Sequence, residues 1–199
     1  MGHYFRNDPE LASDRRVHDF RVGDTVLRFL TDHGVFSKTT LDPGSRFLLE
    51  RITIEDDVDT VIDMGCGYGP IGLFVAYWNP EVDVYLYDIN ERALALAKAN
   101  IDLNAIKNAS VHASDLFRDV AVRAQVILTN PPIRAGKRVL FELYQSAHDN
   151  LLYGGTFYCV IRKQQGAPSS LEEIRRRFGN GEVIGRHKGY WLISARKST

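Results

Sequence analysis

Val61-Ile62-Asp63-Met64-Gly65-Cys66-Gly67-Tyr68-Gly69-Pro70-Ile71-Gly72 is the stretch whose reading decides the fold. An apolar run ends near an acid, breaks into alternating glycines and restarts as a helix. Glycine carries no Cβ, so the backbone there can turn sharply and approach a ligand closely. Pro70 suits the first helical turn, where its missing N–H costs nothing. A strand, glycine turn and helix in this order form a nucleotide-handling unit, with the ligand beyond the carboxyl end of the strand. Gly67-x-Gly69-x-x-Gly72 matches the dinucleotide fingerprint as a bare pattern. The glycine at which the strand gives way to the turn is Gly65, however, and the register Gly65-x-Gly67-x-Gly69 favours a different nucleotide cofactor.

Two further strand ends carry polar residues. Val82-Asp83-Val84-Tyr85-Leu86-Tyr87 leads into Asp88, which can accept hydrogen bonds from a ribose. Val126-Ile127-Leu128-Thr129 leads into Asn130-Pro131-Pro132-Ile133, where the prolines fix the backbone and keep the turn from becoming helix. Each acid also has a plain reading, as the cap of a turn or a polar strand end, and a Pro-Pro turn can simply terminate a strand.

With these three motifs in hand, the chain resembles the class I S-adenosylmethionine (SAM)-dependent methyltransferases that modify a planar nitrogen through an Asn/Asp-Pro-Pro-x motif. Within them it is most similar to the RsmC-type ribosomal RNA guanine-N2 methyltransferases and their short relatives. Gly34-Val35-Phe36-Ser37, Asp42-Pro43-Gly44-Ser45, Ser114-Asp115-Leu116-Phe117 and Ile133-Arg134-Ala135-Gly136-Lys137 share in the resemblance, which covers nearly the whole chain. It implies that Gly65, Gly67 and Gly69 admit the methionine and ribose portion of SAM, with Asp63 orienting the turn and reaching the amino-acid end. Asp88 would take the ribose hydroxyls. Asp115 would accept from the adenine amino group, with apolar neighbours such as Ile89 and Leu116 flanking the ring. An exocyclic guanine amine delocalises its lone pair into the ring. The Asn130 side-chain carbonyl and the Pro131 backbone carbonyl would therefore bind its two N–H groups and favour a pyramidal nitrogen, with Pro132 and Ile133 completing the catalytic turn. Many members of the wider class carry an aromatic residue where this chain has Ile133, so Phe36, Tyr4 or Phe5 becomes the candidate platform for a flipped base. Many RsmC-type enzymes also carry an additional degenerate domain, and RNA docking here is expected to use the catalytic domain or a partner.

The 199 residues, 44% of them hydrophobic, suffice for one domain with a proper core. The expectation is a single methyltransferase domain over 1–199, in which 1–44 form an N-terminal hairpin and substrate-side extension and 45–199 the core. No apolar stretch reaches the roughly 20 residues of a membrane span, and Met1-Gly2-His3-Tyr4-Phe5-Arg6 is no signal-peptide core, so a cytoplasmic protein is expected. Cys66 and Cys159 read as small reduced fillers. His3, His18, His33, His112, His148 and His187 lack ligand spacing, and no metal is expected.

Net charge is zero, but it is split along the chain. Residues 1–125 hold 13 Lys and Arg against 20 Asp and Glu, a balance of −7, whereas residues 126–199 hold 12 against 5, a balance of +7. A basic face can form from Arg134, Lys137, Arg138, Arg162, Lys163, Arg175, Arg176, Arg177, Arg186 and Lys188, or these can be ordinary solvated faces. Arg134, Lys137, Arg162 and Lys163 flank the proposed site and are the candidates for contact with ribosomal RNA or a ribosomal subunit.

Periodicity predicts strands over 15–22 and 25–31 joined at Gly23-Asp24, a helix over 45–51, and alternating strands and helices over 60–64, 70–78, 82–88 and 91–103. Strands over 109–113 and 124–129, a helix over 137–150 and a strand over 156–162 follow. Ser169 and Ser170, each with a Glu three residues on, predict a capped helix over 171–178. Strands over 182–186 and 190–196 close the sheet. The order describes a doubly wound α/β, Rossmann-like seven-stranded sheet with an N-terminal β-hairpin, whose last strand the resemblance makes antiparallel. The Asn-Pro-Pro chemistry also serves adenine N6 and protein glutamine amides. An NAD-dependent oxidoreductase would leave Asn130-Pro131-Pro132 without a role, and an RNA-binding module with a retained SAM pocket is the non-enzymatic alternative.

Overall fold

A computed structural model describes residues 15–32 and 40–198. Phe36, Tyr4 and Phe5 lie outside the described residues, as does the Gly34–Ser37 segment.

Seven strands form the central sheet: β3 (Thr60–Met64), β4 (Asp83–Asp88), β5 (Ala109–Ala113), β6 (Ala124–Thr129), β7 (Leu151–Arg162), β8 (Glu182–His187) and β9 (Tyr190–Arg196), in the spatial order β5-β4-β3-β6-β7-β9-β8. The first five in that order run parallel, and β9 is antiparallel to both of its neighbours. The doubly wound sheet is as the sequence predicts, and its antiparallel last strand is as the family resemblance implies. Along each inner strand alternate residues face opposite ways. Val61, Leu86, Leu128 and Val160 join one core with α1 (Pro43–Leu49), α2 (Pro70–Trp78) and α3 (Glu91–Leu103). Ile62, Tyr87, Ile127 and Cys159 join the other with α4 (Lys137–Asn150) and α5 (Ala167–Phe178). Strand order reverses between β3 and β6, which opens a crevice at their carboxyl ends.

Three elements begin two or more residues earlier than the sequence reading places them. Helix α1 begins at Pro43 because Asp42 is its N-cap, accepting from the Ser45 N–H at 2.9 Å. Strand β7 begins at Leu151, directly where α4 ends. Gly154 and Gly155 sit at an irregularity in its pairing, where a Cβ on Gly155 would come 2.7 Å from the Gln125 carbonyl oxygen. Helix α5 begins at Ala167 with Gly166 as N-cap at φ +103°. Ser169 and Ser170 therefore lie inside its first turn rather than capping it, and Ser170 Oγ instead accepts from the buried Tyr144 hydroxyl at 2.9 Å.

The hairpin of β1 (Arg16–Val22) and β2 (Thr25–Thr31) is a separate two-stranded sheet. Phe20 and Phe29 stack at 5.0 Å and enter the core beside Tyr68. Two side-chain amides of α3 finish its edge. Asn100 accepts from Leu30 N–H at 2.6 Å and donates to the Leu30 carbonyl, and Asn104 does the same for Arg28. Four residues of helix rise about 6 Å and two residues of strand about 6.6 Å, so the i,i+4 amides match alternate strand residues. Asn100 also donates to the Tyr68 carbonyl in the glycine turn at 3.0 Å, joining hairpin, helix and turn.

Asn100 is fully buried, and Asn100→Ala removes its side-chain partner from the Leu30 N–H, the Leu30 carbonyl and the Tyr68 carbonyl. It is expected to destabilise the protein by about 1–3 kcal/mol in urea denaturation, the usual penalty of such a loss.

Candidate functional site

At its carboxyl end β3 cannot continue, because the Tyr87 carbonyl takes two consecutive N–H groups, Gly65 at 2.8 Å and Cys66 at 3.0 Å. On the other side the Thr129 hydroxyl donates to the Met64 carbonyl at 2.8 Å. The chain thus folds back between β4 and β6 in a turn that needs φ of +73° at Gly65, +58° at Gly67 and +96° at Gly69, a region costly for other residues. A Cβ on Gly65 would meet nothing within 4 Å, so this glycine faces open space. At Gly69 a Cβ would press on Leu86 and Leu73 at 3.1 and 3.3 Å, so there the requirement is internal packing.

Asp63 and Asp88 hold the turn from two sides. Asp63 Oδ2 accepts from Gly72 N–H at 2.8 Å, at the start of α2. Its Oδ1 is buried and has no hydrogen-bond partner among the described residues. Burial pushes the Asp63 carboxyl up to about 7; the Gly72 N–H opposes this and the nearby Asp88 adds to it. Asp88 is 4% exposed; Oδ2 accepts from Gly67 N–H at 2.8 Å and Oδ1 from Asn90 N–H at 2.9 Å. Asn90 in turn caps α3. The sequence assigns Asp88 to a ligand; the structure adds that the same carboxylate shapes the turn and starts the next helix. Ile89, beside it, is 45% exposed.

Asp115 and Leu116 follow β5. Asp115 is half-buried and pairs with Arg118, while Leu116 takes φ +54° and its carbonyl accepts from the buried Ser114 hydroxyl at 2.7 Å. Burial also pushes the Cys66 thiol well above its ordinary range, and the Cys159 thiol up to about 12; both are free cysteines.

The Asn-Pro-Pro turn stands at the end of β6. Asn130 Nδ2 donates to Asp42 Oδ2 at 2.8 Å and to Ser45 Oγ at 3.1 Å, both on the cap of α1. Its Oδ1 has no partner among the described residues. Pro132, at φ −75° and ψ 80°, is the centre of an inverse γ-turn closed by the Ile133 N–H on the Pro131 carbonyl at 2.9 Å. The Pro131 oxygen keeps one lone pair. Ile133 is partly buried against the core shared with α4. Sequence reasoning reached Asp42 and Ser45 only through the family resemblance, without a role. Their spacing as a helix cap is the local signal, and nothing local ties that cap to a residue 88 positions away.

The basic residues separate into groups. Arg134 and Lys137 are exposed just beyond the Asn-Pro-Pro turn. Arg162 ends β7 with its guanidinium 4.7 Å from the Tyr190 ring centre, and Lys163 donates its N–H to the Gly189 carbonyl at 2.8 Å. Because β9 is antiparallel, the Lys188-Gly189 turn lies at this same end of the sheet. Arg175, Arg176 and Arg177 occupy the last turn of α5, bound to Gly181, Glu173 and Gln145, so these three arginines do not join the face at the crevice. Among the described residues no helix is long and apolar enough to cross a membrane, and no group of three or more His, Cys, Asp or Glu can hold a metal ion.

A seven-stranded sheet in this order, with a glycine turn and an Asn-Pro-Pro turn on neighbouring strand ends, defines a SAM-dependent methyltransferase. The model of the methyltransferase small domain matches residues 26–194, and the chain belongs to that family. It is 39% identical to YbxB of Bacillus subtilis (strain 168), named as an uncharacterized protein, across 98% of both chains. It is 32% identical to ribosomal RNA small subunit methyltransferase C of Cronobacter sakazakii over 96% of this chain, but spans only 56% of that protein. Among solved structures, the Thermus thermophilus 16S rRNA N2 G1207 methyltransferase in complex with AdoMet and guanosine superposes with a TM-score of 0.82. At 24% identity, covering 95% of this chain and 52% of that one, it shares the fold.

SAM carries a sulfonium and an amino group, both cationic. The residues present fit it: Asp63 Oδ1 is a buried acceptor without a partner among the described residues, and Gly65 leaves open space at the turn.

The raised Asp63 pKa makes stability depend on pH. Between its ordinary value of 3.8 and about 7 the folded chain keeps a proton that the unfolded chain has lost, so stability falls as pH rises through this window and levels above it. Asp63→Asn keeps an acceptor for Gly72 and removes the titration. Urea denaturation is expected to show the wild-type-minus-variant difference falling from pH 4 to 7, with the variant at least as stable as wild type at pH 8.

Proposed function

We propose that this chain transfers a methyl group from SAM to the exocyclic N2 of a guanine in ribosomal RNA. The observation that carries the reading is the orientation of Asn130, whose amide nitrogen is consumed by Asp42 and Ser45 while its carbonyl has no partner among the described residues. The relatives named as ribosomal RNA methyltransferases support it.

SAM supplies an electrophilic methyl group on its sulfonium: the N2–C bond would form as the S–C bond breaks, S-adenosylhomocysteine would leave as a neutral thioether, and the methylated amine would release one N–H proton to water. Asp63 and the open Gly65 would receive its amino-acid end, Asp88 the ribose, and Asp115 with Ile89 and Leu116 the adenine. Each Asp88 oxygen already holds a backbone N–H, so ribose hydroxyls would add to a carboxylate fixed in place before binding. Asn130 Oδ1 and the remaining lone pair of the Pro131 oxygen would take the two amine N–H groups, which leaves the nitrogen lone pair free to point elsewhere. Positioning and exclusion of water are the protein's tasks, and no side-chain nucleophile is needed. Arg134, Lys137, Arg162 and Lys163 would meet RNA phosphates around the mouth. A ribosomal substrate places the enzyme in the cytoplasm, with residues 1–199 as one catalytic domain.

The test is methyl transfer from radiolabelled SAM to ribosomal subunits, deproteinised ribosomal RNA, DNA and protein extract, with mass spectrometry of the labelled product. N2-methylguanosine is the expected product. Label in adenine or glutamine would replace the substrate and keep the chemistry. Arg162→Glu with Lys163→Glu is expected to weaken RNA binding and to reduce its dependence on salt by about two phosphate contacts, while SAM affinity is unchanged in calorimetry.

A further inference from the structure

We propose that Asp42 is a positioning residue that sets which end of the Asn130 side chain faces the substrate; the inference rests on the methyl-transfer reading above. A primary amide is nearly symmetric in shape, and only its hydrogen bonds decide whether oxygen or nitrogen points into the site. Here Asn130 Nδ2 gives one proton to Asp42 Oδ2 at 2.8 Å and the other to Ser45 Oγ at 3.1 Å. Rotating the amide by half a turn would bring Oδ1 against both oxygens. The Ser45 hydroxyl can turn and donate to it. A carboxylate has no proton to give, so Asp42 is the partner that forbids the rotation.

The surrounding segment is built to keep that carboxylate in place. Asp42 is 6% exposed, so little water can relieve a mismatch. Its extended backbone, φ −51° and ψ 132°, is the conformation favoured before a proline, and Pro43 starts α1. Oδ2 is also anchored by the Ser45 N–H at 2.9 Å. Gly44 leaves room for it: a Cβ there would come 3.0 Å from Asp42 Oδ2 and 2.7 Å from the Tyr190 ring, the ring over which Arg162 lies. Asp42, Pro43, Gly44 and Ser45 thus serve one end, a carboxylate fixed against the Asn130 amide nitrogen. With the amide reversed, Nδ2 would confront the N–H groups of an amine substrate, donor against donor.

Two variants separate positioning from mere helix capping. Asp42→Ser keeps a good cap for Ser45 N–H but is too short to reach Asn130. Asp42→Asn keeps an acceptor oxygen long enough for both. On ribosomal subunits as substrate, Asp42→Ser is expected to lower kcat at least about ten-fold, the scale of a misplaced reacting group, with the KM for SAM unchanged. Asp42→Asn is expected to retain turnover near wild type. In an Asn130→Ala background Asp42→Ser should cause no further loss. A second readout needs no RNA: the Asn130 side-chain NH2 pair, assigned in nitrogen-15 NMR by its loss in Asn130→Ala, should exchange slowly with water in wild type and Asp42→Asn and rapidly in Asp42→Ser. Full turnover by Asp42→Ser, or the same loss with and without Asn130, would overturn the proposal. If wild type modifies no guanine, the functional reading fails, and the NMR exchange still decides the orientation of Asn130.

Discussion

A buried carboxylate with a single hydrogen bond among the described residues stands at the centre of this structure. Asp63 closes β3 by gripping the Gly72 N–H, and that one contact sets where α2 begins relative to the sheet. Gly72 must be glycine for the grip to form, since a Cβ there would lie 2.8 Å from the Leu86 side chain and 3.1 Å from Asp63 Oδ2 itself. The glycine turn is what remains between the two fixed ends. Its path is pinned by Tyr87 on β4 and Thr129 on β6, so the strands on either side that form the crevice also hold the loop that lines it.

Two acids face this turn, and their mutual repulsion is part of what raises the Asp63 pKa. The arrangement costs stability in the free protein. A cationic ligand group beside Oδ1 relieves it, because an opposite charge favours the ionised carboxylate that burial disfavours. On the proposed reading, poor stability of the charged form and affinity for a cation would be one property of one carboxylate. Asp88 differs: its two backbone N–H donors hold the carboxylate in place, so it acts as a preset acceptor.

The sequence carries local structure well. Short apolar runs mark β3, β4 and β6, the glycine run marks the turn between β3 and α2, and Pro131-Pro132 marks the end of β6, because each is a property of a few adjacent residues. What escapes it is pairing across distance. The Asn100 and Asn104 amides that finish β2 look like ordinary polar helix positions until the hairpin lies against α3. Ser169 and Ser170 satisfy a capping pattern, but Gly166 at positive φ and Pro168 in the first turn start α5 earlier. The basic run 175–177 looks continuous with Arg162 and Lys163. Helix α5, however, returns antiparallel to β7 and carries the run to the far end of the sheet, where Glu173 and Gln145 take it up.

The acceptors at the Asn-Pro-Pro turn also bear on how many methyl groups such a site passes on. Asn130 Oδ1 is one acceptor, and the Pro131 oxygen, having given one lone pair to Ile133 N–H, is a second. In the proposed reaction an unmodified amine fills both with its two N–H groups. After one transfer a single N–H remains, and one of the two acceptors would be left without its substrate partner. The monomethylated product is thus held more weakly than the substrate by the same two oxygens that align it. A second transfer would start from this poorer complex, with the first methyl group where an acceptor expects a donor. With the geometry that Asp42 and the γ-turn are proposed to fix, those oxygens would have little freedom to adapt, so a turn that prepares the nitrogen for one methyl group would also disfavour the next.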